Sequence, residues 1–254
     1  MRLFVSFRRL IPALLILGGL AACTPRPADF SGDVFDPYEA NNRQTHELNK
    51  AVDRAIVRPI ATATSGTSQG GVGQALGNLA TNLGEPSNAL NHALQGDAQG
   101  TATAVARLMI NTFFGLGGLF DIAGDTGLPE DGTDFGETLH VWGAPEGAYI
   151  ELPLYGPSTE RDAVGRIVDA VIDPLDLLIP AEAAPYATAI RLAGRVSGRG
   201  KFSDTVDSVL YDSVDSYAQA RLIYLQNRRY ELGGAEGTID ADAYADPYAD
   251  PYQE

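Results

Sequence analysis

A single cysteine, Cys23, excludes an internal disulfide and a thiolate zinc cluster. Histidine is nearly as scarce, with His46, His92 and His140 the whole supply. His46-Glu47-Leu48-Asn49-Lys50 has the outline of a zinc-protease helix, but Lys50 replaces the second histidine, and an ammonium does not ligate zinc at neutral pH. The sequence has no G-x-S-x-G elbow, Walker loop or dinucleotide fingerprint. Gly115-Leu116-Gly117-Gly118 lacks both a preceding strand and a phosphate-binding lysine. Acid pairs such as Asp173 with Asp176 and Glu130 with Asp131 read as solvated faces in so acidic a chain, and His140 beside Trp142 reads as structural. No nucleophile, base and oxyanion stabiliser come together, so no catalytic residue, metal or cofactor is expected. Positive charge is also short: 18 Lys and Arg face 33 Asp and Glu, for a net charge of -15. That balance gives no attraction to nucleic acid or to an anionic membrane surface, and any lipid contact has to be apolar and local.

Long apolar runs are missing too, with one short exception at the start. After Arg2, Arg8 and Arg9 comes an apolar stretch from Leu10 to Leu20, about 11 residues and well below the roughly 18–20 that span a bilayer. It ends in Leu20-Ala21-Ala22-Cys23, which resembles a bacterial lipobox. Residues 1–22 are therefore expected to be a removable signal, with Cys23 the lipidated N-terminus. One acyl chain holds a protein marginally and two or more hold it stably. Thr24 is not the aspartate that commonly retains lipoproteins in the inner membrane, which favours the outer membrane.

Along the mature chain, residues 23–35 read as a lipidated tether, Pro-rich and polar. Residues 36–230 read as one helical domain, and 231–254 as an acidic low-complexity tail in which Ala-Asp-Pro-Tyr occurs twice. Asp36-Pro37-Tyr38 opens a helix, with Asp36 as its cap and Leu48, Val52 and Ile56 as its stripe, and Arg58-Pro59 ends or kinks it. Thr62 to Gly73 is a Ser/Thr/Gly-rich joint. Val72, Leu76, Leu79 and Leu83 stripe a second helix, closed by Gly84-Glu85-Pro86. A short helix over 88–94 and another over 97–113 follow. Asn111 to Ala123 is apolar, aromatic and glycine-rich. Residues 125–157 are mostly loop, with a strand-like piece at most near Tyr149 to Leu152. Helical patterns resume over 158–171, 174–179, 185–196 and, as one long helix, 201–230. The fold class expected is all-α.

Several blocks in order carry a resemblance. Asp36-Pro37-Tyr38-Glu39-Ala40-Asn41-Asn42-Arg43 comes first, then Val52-Asp53 and Arg58-Pro59-Ile60. Asn78 to Pro86 (with Asn82, Glu85 and Pro86), Arg107 to Asn111, and Gly115 to Asp121 follow. Asp134-Phe135-Gly136-Glu137-Thr138-Leu139, Val141-Trp142-Gly143 and Leu152-Pro153-Leu154-Tyr155-Gly156-Pro157-Ser158 come next, and Arg161-Asp162 and Gly165 close the set. This series resembles the MlaA/VacJ lipoprotein family. The resemblance implies a ring-like helical domain with an amphipathic channel, seated in the periplasmic leaflet of the outer membrane of a Gram-negative bacterium. It implies a role in clearing misplaced phospholipids from the outer leaflet, beside a porin trimer and towards a periplasmic lipid-binding carrier protein. Phe113, Phe114, Leu116, Leu119 and Phe120 are the candidates for its membrane belt or channel mouth. Two other readings compete with this conduit. A structural or adhesion lipoprotein would show a solid core and a large partner-facing patch, and an envelope hydrolase would show a pocket of converging titratable groups.

Overall fold

A computed structural model describes residues Thr24, Arg26, Pro27, 34–68 and 71–233. The expected signal, Cys23, most of the tether and the acidic tail lie outside the described residues. The expectation of an all-α fold holds, with one small hairpin.

Helix α1 (Glu39–Val52) runs into a single wide π turn (Asp53–Val57), and α2 (Arg58–Ser68) follows without a break. Proline 59 explains the turn. It lacks an amide hydrogen, and the Arg58 amide before it reaches back five residues to the Asp53 carbonyl, so the helix widens instead of ending. The Ser/Thr/Gly joint expected from Thr62 is helical as far as Ser68. Asp36 does not cap α1. Tyr38 occupies the cap position without a side-chain bond, and the Asp36 carboxylate instead receives Asn42, Tyr217 and Arg221. Distant donors outcompete the local cap.

Helix α3 (Val72–Gln95) is the longest element and corrects a second expectation: it passes straight through Gly84-Glu85-Pro86, with no separate helix over 88–94. An internal proline costs a helix about 3 kcal/mol. Here α3 packs against both α4 and α9, and Glu85 and Pro86 are buried, so tertiary packing offsets that cost. Gly96, at φ 80°, ends it. Asp97 then caps α4 (Ala98–Phe113), accepting from the Gln99 and Gly100 amides at 3.0 Å each.

After the short α5 (Ile122–Asp125), Asp134 caps α6 (Phe135–Val141). Strands β1 (Tyr149–Leu152) and β2 (Gly156–Thr159) pair antiparallel, with Tyr149 opposite Thr159. Thr159 caps α7 (Glu160–Ile172). Helix α8 (Leu175–Leu178) and a 3-10 turn (Ala181–Ala183) lead into α9 (Ala184–Lys201). The single helix expected from Lys201 to Tyr230 is divided. It comprises α10 (Ser203–Asp207), a π turn (Ser208–Asp212), an extended Ser213, and α11 (Ser216–Glu231) capped by Asp215. Asp215 bonds the Ala218 amide and also holds Arg43 of α1, so the break places a cap where an ion pair needs it.

Packing runs from α3 to α6, α6 to α7, α7 to β1, β1 to α1, through the π turn to α2, then to α9 and back to α3. The contacts form a closed circuit instead of radiating from one centre. Its apolar clusters are accordingly small: Phe135, Leu139, Ala144 and Val168 form one, and Tyr149, Tyr217 and Leu225 another. Helices α6 and α7 cross where Gly165 meets Gly136, and a Cβ on Gly165 would collide with the Gly136 backbone. Gly165→Val is therefore expected to cost about 1–3 kcal/mol, the usual range for overpacking. Thermal melting followed by circular dichroism checks this, and an unchanged midpoint would show that the crossing is looser than described.

Candidate functional site

The segment from Asn111 to Asp121 inverts the usual order of a protein surface. Phe113 is 69% exposed, Phe114 74%, Leu116 69% and Phe120 55%, while Leu119 is half-buried. Beneath these apolar groups lie charges. The Arg107 guanidinium meets Glu85 at 2.7 Å, with both side chains 1% exposed, and its other nitrogens reach the Leu128 carbonyl and Asp121. Asn111 donates to Asp121 and accepts from the Ala123 amide, both at 2.9 Å. Asn82 and Asn78 of α3 donate to the Gly117 and Leu119 carbonyls and so hold the turn from above. The turn needs its glycines. Gly117 and Gly118 lie at φ 75° and 101°, and a side chain on Gly118 would strike Asn82. Leu116 is held at φ 51°, a strained value for leucine.

Burial pushes the Glu85 carboxyl up, against the pull of Arg107 and Asn88. Burial acts on Asp121 in the same direction, but bonds from Asn111, the Gly124 amide and Arg107 win and hold it below the usual carboxylate range. Asn82, Glu85 and Asn111 thus support the turn that carries the exposed aromatics from inside. Sequence reading placed Glu85 on a helix end and left Arg107 and Asp121 off the site. An arginine on the apolar stripe of α4, between Ala104 and Asn111, was the available signal.

The remaining motif positions seal the circuit. Asn42 is buried and joins α1 to β1 through the Tyr149 carbonyl and the Glu151 amide. Arg43 pairs with Asp215 at 2.9 Å and Arg58 with Asp207 at 2.6 Å. Arg161 and Asp162 are both buried, and Asp162 is shared with Arg228 and Tyr224. Phe135 sits in the α6–α7 cluster with Trp142 edge-on to it at 5.6 Å. Trp142 donates to the Leu94 carbonyl, and Gly143 ends α6 at φ 88°. Pro37 lies in the turn before α1, Pro153 is exposed at the hairpin tip, and Pro157 pairs opposite Glu151. Trp142, Leu154 and Tyr155 are also exposed, and the motif positions do not converge on one pocket.

His46 is buried between Glu151 at 3.3 Å and Ser216 at 3.0 Å, a structural position. His140 is exposed beside Arg161. His92 lies between Asp97 and Asp131, one facing each ring nitrogen, which braces the α4 cap. A separate cleft of about 1210 Å³ opens between the first half of α3 and α9, lined by Gly73, Asn78, Arg191, Arg195, Lys201 and Phe202 among others. Its volume exceeds that of ordinary small-molecule pockets. No helix among the described residues is long and apolar enough to cross a membrane.

These features describe an all-helical protein with one small hairpin that exposes aromatic side chains over a buried ion pair, beside a large cleft between two of its helices. Comparison with known proteins narrows the class. A family model described as "MlaA lipoprotein" matches residues 34–231, and the chain belongs to that family. The "Intermembrane phospholipid transport system lipoprotein MlaA" of Escherichia coli K12 is 31% identical over 221 residues, covering 85% of this chain and 86% of its own. The protein of the same description from Shigella flexneri is 32% identical over the same span. An uncharacterized protein of Rickettsia conorii is 31% identical over 190 residues, 74% of each chain. A solved chain described under "Structural basis for maintenance of bacterial outer membrane lipid asymmetry" superposes with a TM-score of 0.64 at 29% identity. It covers 78% of this chain and 98% of that one.

Proposed function

We propose that this protein is an outer-membrane lipoprotein that moves phospholipid between membranes without covalent chemistry. In this reading it takes misplaced phospholipid from the outer leaflet and passes it on to a periplasmic carrier. The observation that carries the reading is the exposed belt of Phe113, Phe114, Leu116 and Phe120 above the buried Arg107–Glu85 pair. Such a face lowers its free energy by leaving water, and it is too short to span, so it sits in one leaflet. The family supports phospholipid as cargo. The closed circuit of helices supports a channel through the domain, with the cleft beside α9 as its polar side. A porin trimer beside the belt would complete the shell around the aromatics.

The experiment is transfer of labelled phospholipid from vesicles carrying the lipidated protein to a soluble acceptor. Transfer with chemically unchanged lipid is expected. Stoichiometric lysophospholipid or free fatty acid would overturn the reading in favour of a hydrolase.

Anchoring makes its own prediction. Cys23→Ala is expected to abolish acyl labelling and shift the chain from the membrane to the periplasmic fraction, because the belt alone replaces few of the lost acyl contacts. Unchanged acylation and membrane recovery would remove the lipobox from the account. Thr24, the next residue, is tied to Glu160 by its amide at 2.6 Å and its hydroxyl at 2.7 Å.

A further inference from the structure

In a protein with such an excess of acid, an arginine with no carboxylate partner is an exception, and two of them meet at one ring. Helix α9 presents Arg191, Arg195 and Arg199 at four-residue spacing, on one face. The outer two are neutralised: Arg191 by Asp173 at 2.6 Å, and Arg199 by Asp53 and Asp207. Arg195 between them has no ion pair among the described residues. Its guanidinium lies 4.9 Å from the centre of the Tyr155 ring. Arg166, from α7, lies 5.7 Å from the same ring and likewise has no ion pair among the described residues. Two helices thus bring two uncompensated positive charges to one aromatic.

The backbone is arranged to hold that ring in place. Tyr155 sits at the hairpin tip after Leu154, which is kept at φ 66°, a strained conformation for a leucine. The Asn49 side chain of α1 accepts from the Leu154 amide at 2.6 Å and holds the strained turn. Arg195 also lines the cleft between α3 and α9, together with Arg191 and Lys201. Lys201 too lacks an ion pair among the described residues, and lies 5.3 Å from the centre of Phe202. Against these cations the lining offers one acid, Glu130.

We propose that Arg195 and Arg166, spaced by Tyr155, form a binding subsite for the phosphodiester of a glycerophospholipid headgroup, with the cleft beside α9 receiving the remainder of the lipid. The inference rests on the phospholipid-moving role proposed above and names the groups that hold the cargo. Guanidinium is the side chain suited to bidentate bonding of phosphate oxygens, and stacking on Tyr155 pre-orients it. The two guanidinium groups leave the empty site with net positive charge, part of which a monoanionic phosphodiester neutralises. A surrounding carboxylate would cancel that charge, and among the described residues none lies within ion-pair distance of either. The phosphodiester is common to all glycerophospholipids, so the subsite reads the lipid class and not the head alcohol.

The test uses the full lipidated protein in detergent, titrated with a short-chain phosphatidylglycerol. Diacylglycerol of the same chain length and inorganic phosphate serve as comparison probes. Phosphatidylglycerol is expected to bind at least tenfold tighter than diacylglycerol. Arg195→Ala and Arg166→Ala should each remove most of that difference, Arg195→Lys should restore part of it, and diacylglycerol binding should stay unchanged throughout. Circular dichroism confirms folding, and Tyr155→Phe, which keeps the stacking face, should bind like the parent. Equal binding of the phospholipid by parent and both alanine variants would overturn the subsite while leaving the transport role standing. No binding of either lipid by the parent would count against both. Inorganic phosphate bound at the same arginines, with no preference for the lipid, would make this a free-anion site and overturn the assignment to lipid.

Discussion

Arg107→Leu is expected to destabilise the domain by about 3–5 kcal/mol, since it leaves Glu85 buried without its partner. The loss should be larger than for any single change among the surface ion pairs, such as Arg43 with Asp215, whose partners are screened by water. Chemical denaturation of the detergent-solubilised protein measures it. Removing both charges, as Arg107→Leu with Glu85→Leu, should recover a large part of the loss, because two apolar groups of similar size leave nothing unsatisfied. Part of the deficit will remain, because the Leu128 carbonyl and Asp121 also lose their donor. A single variant within about 0.5 kcal/mol of the parent would mean that water reaches Glu85, and that the belt does not cap a dry polar interior.

The belt itself calls for the opposite pattern. Phe114→Asp and Phe120→Asp replace exposed groups, so each should leave stability in detergent within about 0.5 kcal/mol of the parent. In a bilayer the same change places a carboxylate where hydrocarbon is expected, at a cost of up to about 3 kcal/mol at the membrane centre and less near the interface. Vesicle binding and outer-leaflet phospholipid clearance should therefore fall steeply while the melt hardly moves. Destabilisation by several kcal/mol with vesicle binding intact would return these aromatics to ordinary core packing. The two experiments separate what lies under the belt from what lies over it.

Local chemistry was the legible part of this sequence. The helix expected over 97–113 is present as α4, and a strand-like piece fell where Tyr149 to Leu152 is paired. The misreadings share one cause. Asp36 had the form of a cap and Pro86 the form of a stop, and each was overruled by partners far along the chain. Asp36 is taken by Tyr217 and Arg221, and Pro86 is held within a helix packed on two sides. Periodicity reports which face is apolar, but not whether a polar residue on that face will find a buried counter-charge. Arg107, Asp162 and Arg228 could only be placed once the circuit was closed. Arg166 and Arg195 were hidden for a further reason: what marks them is the absence of a partner, and absence is visible only in three dimensions.

The closure between Asp36 and Arg221 also sets an order in time. These residues are 185 positions apart, and Asp162 likewise waits for Arg228, 66 residues later. A chain made from its N-terminus holds the first carboxylate long before the helix that neutralises it exists. Until Ser216–Glu231 has been synthesised, Asp36 lacks Tyr217 and Arg221, and Asp162 lacks Tyr224 and Arg228. The side of the domain that carries Asp36 and Asp162 is therefore completed late, while α3, α4 and α9 can pack before it. A chain stopped short of α11 would keep the contacts of α3 with α4 and α9 but would present two buried carboxylates without the arginines that neutralise them from the last helix.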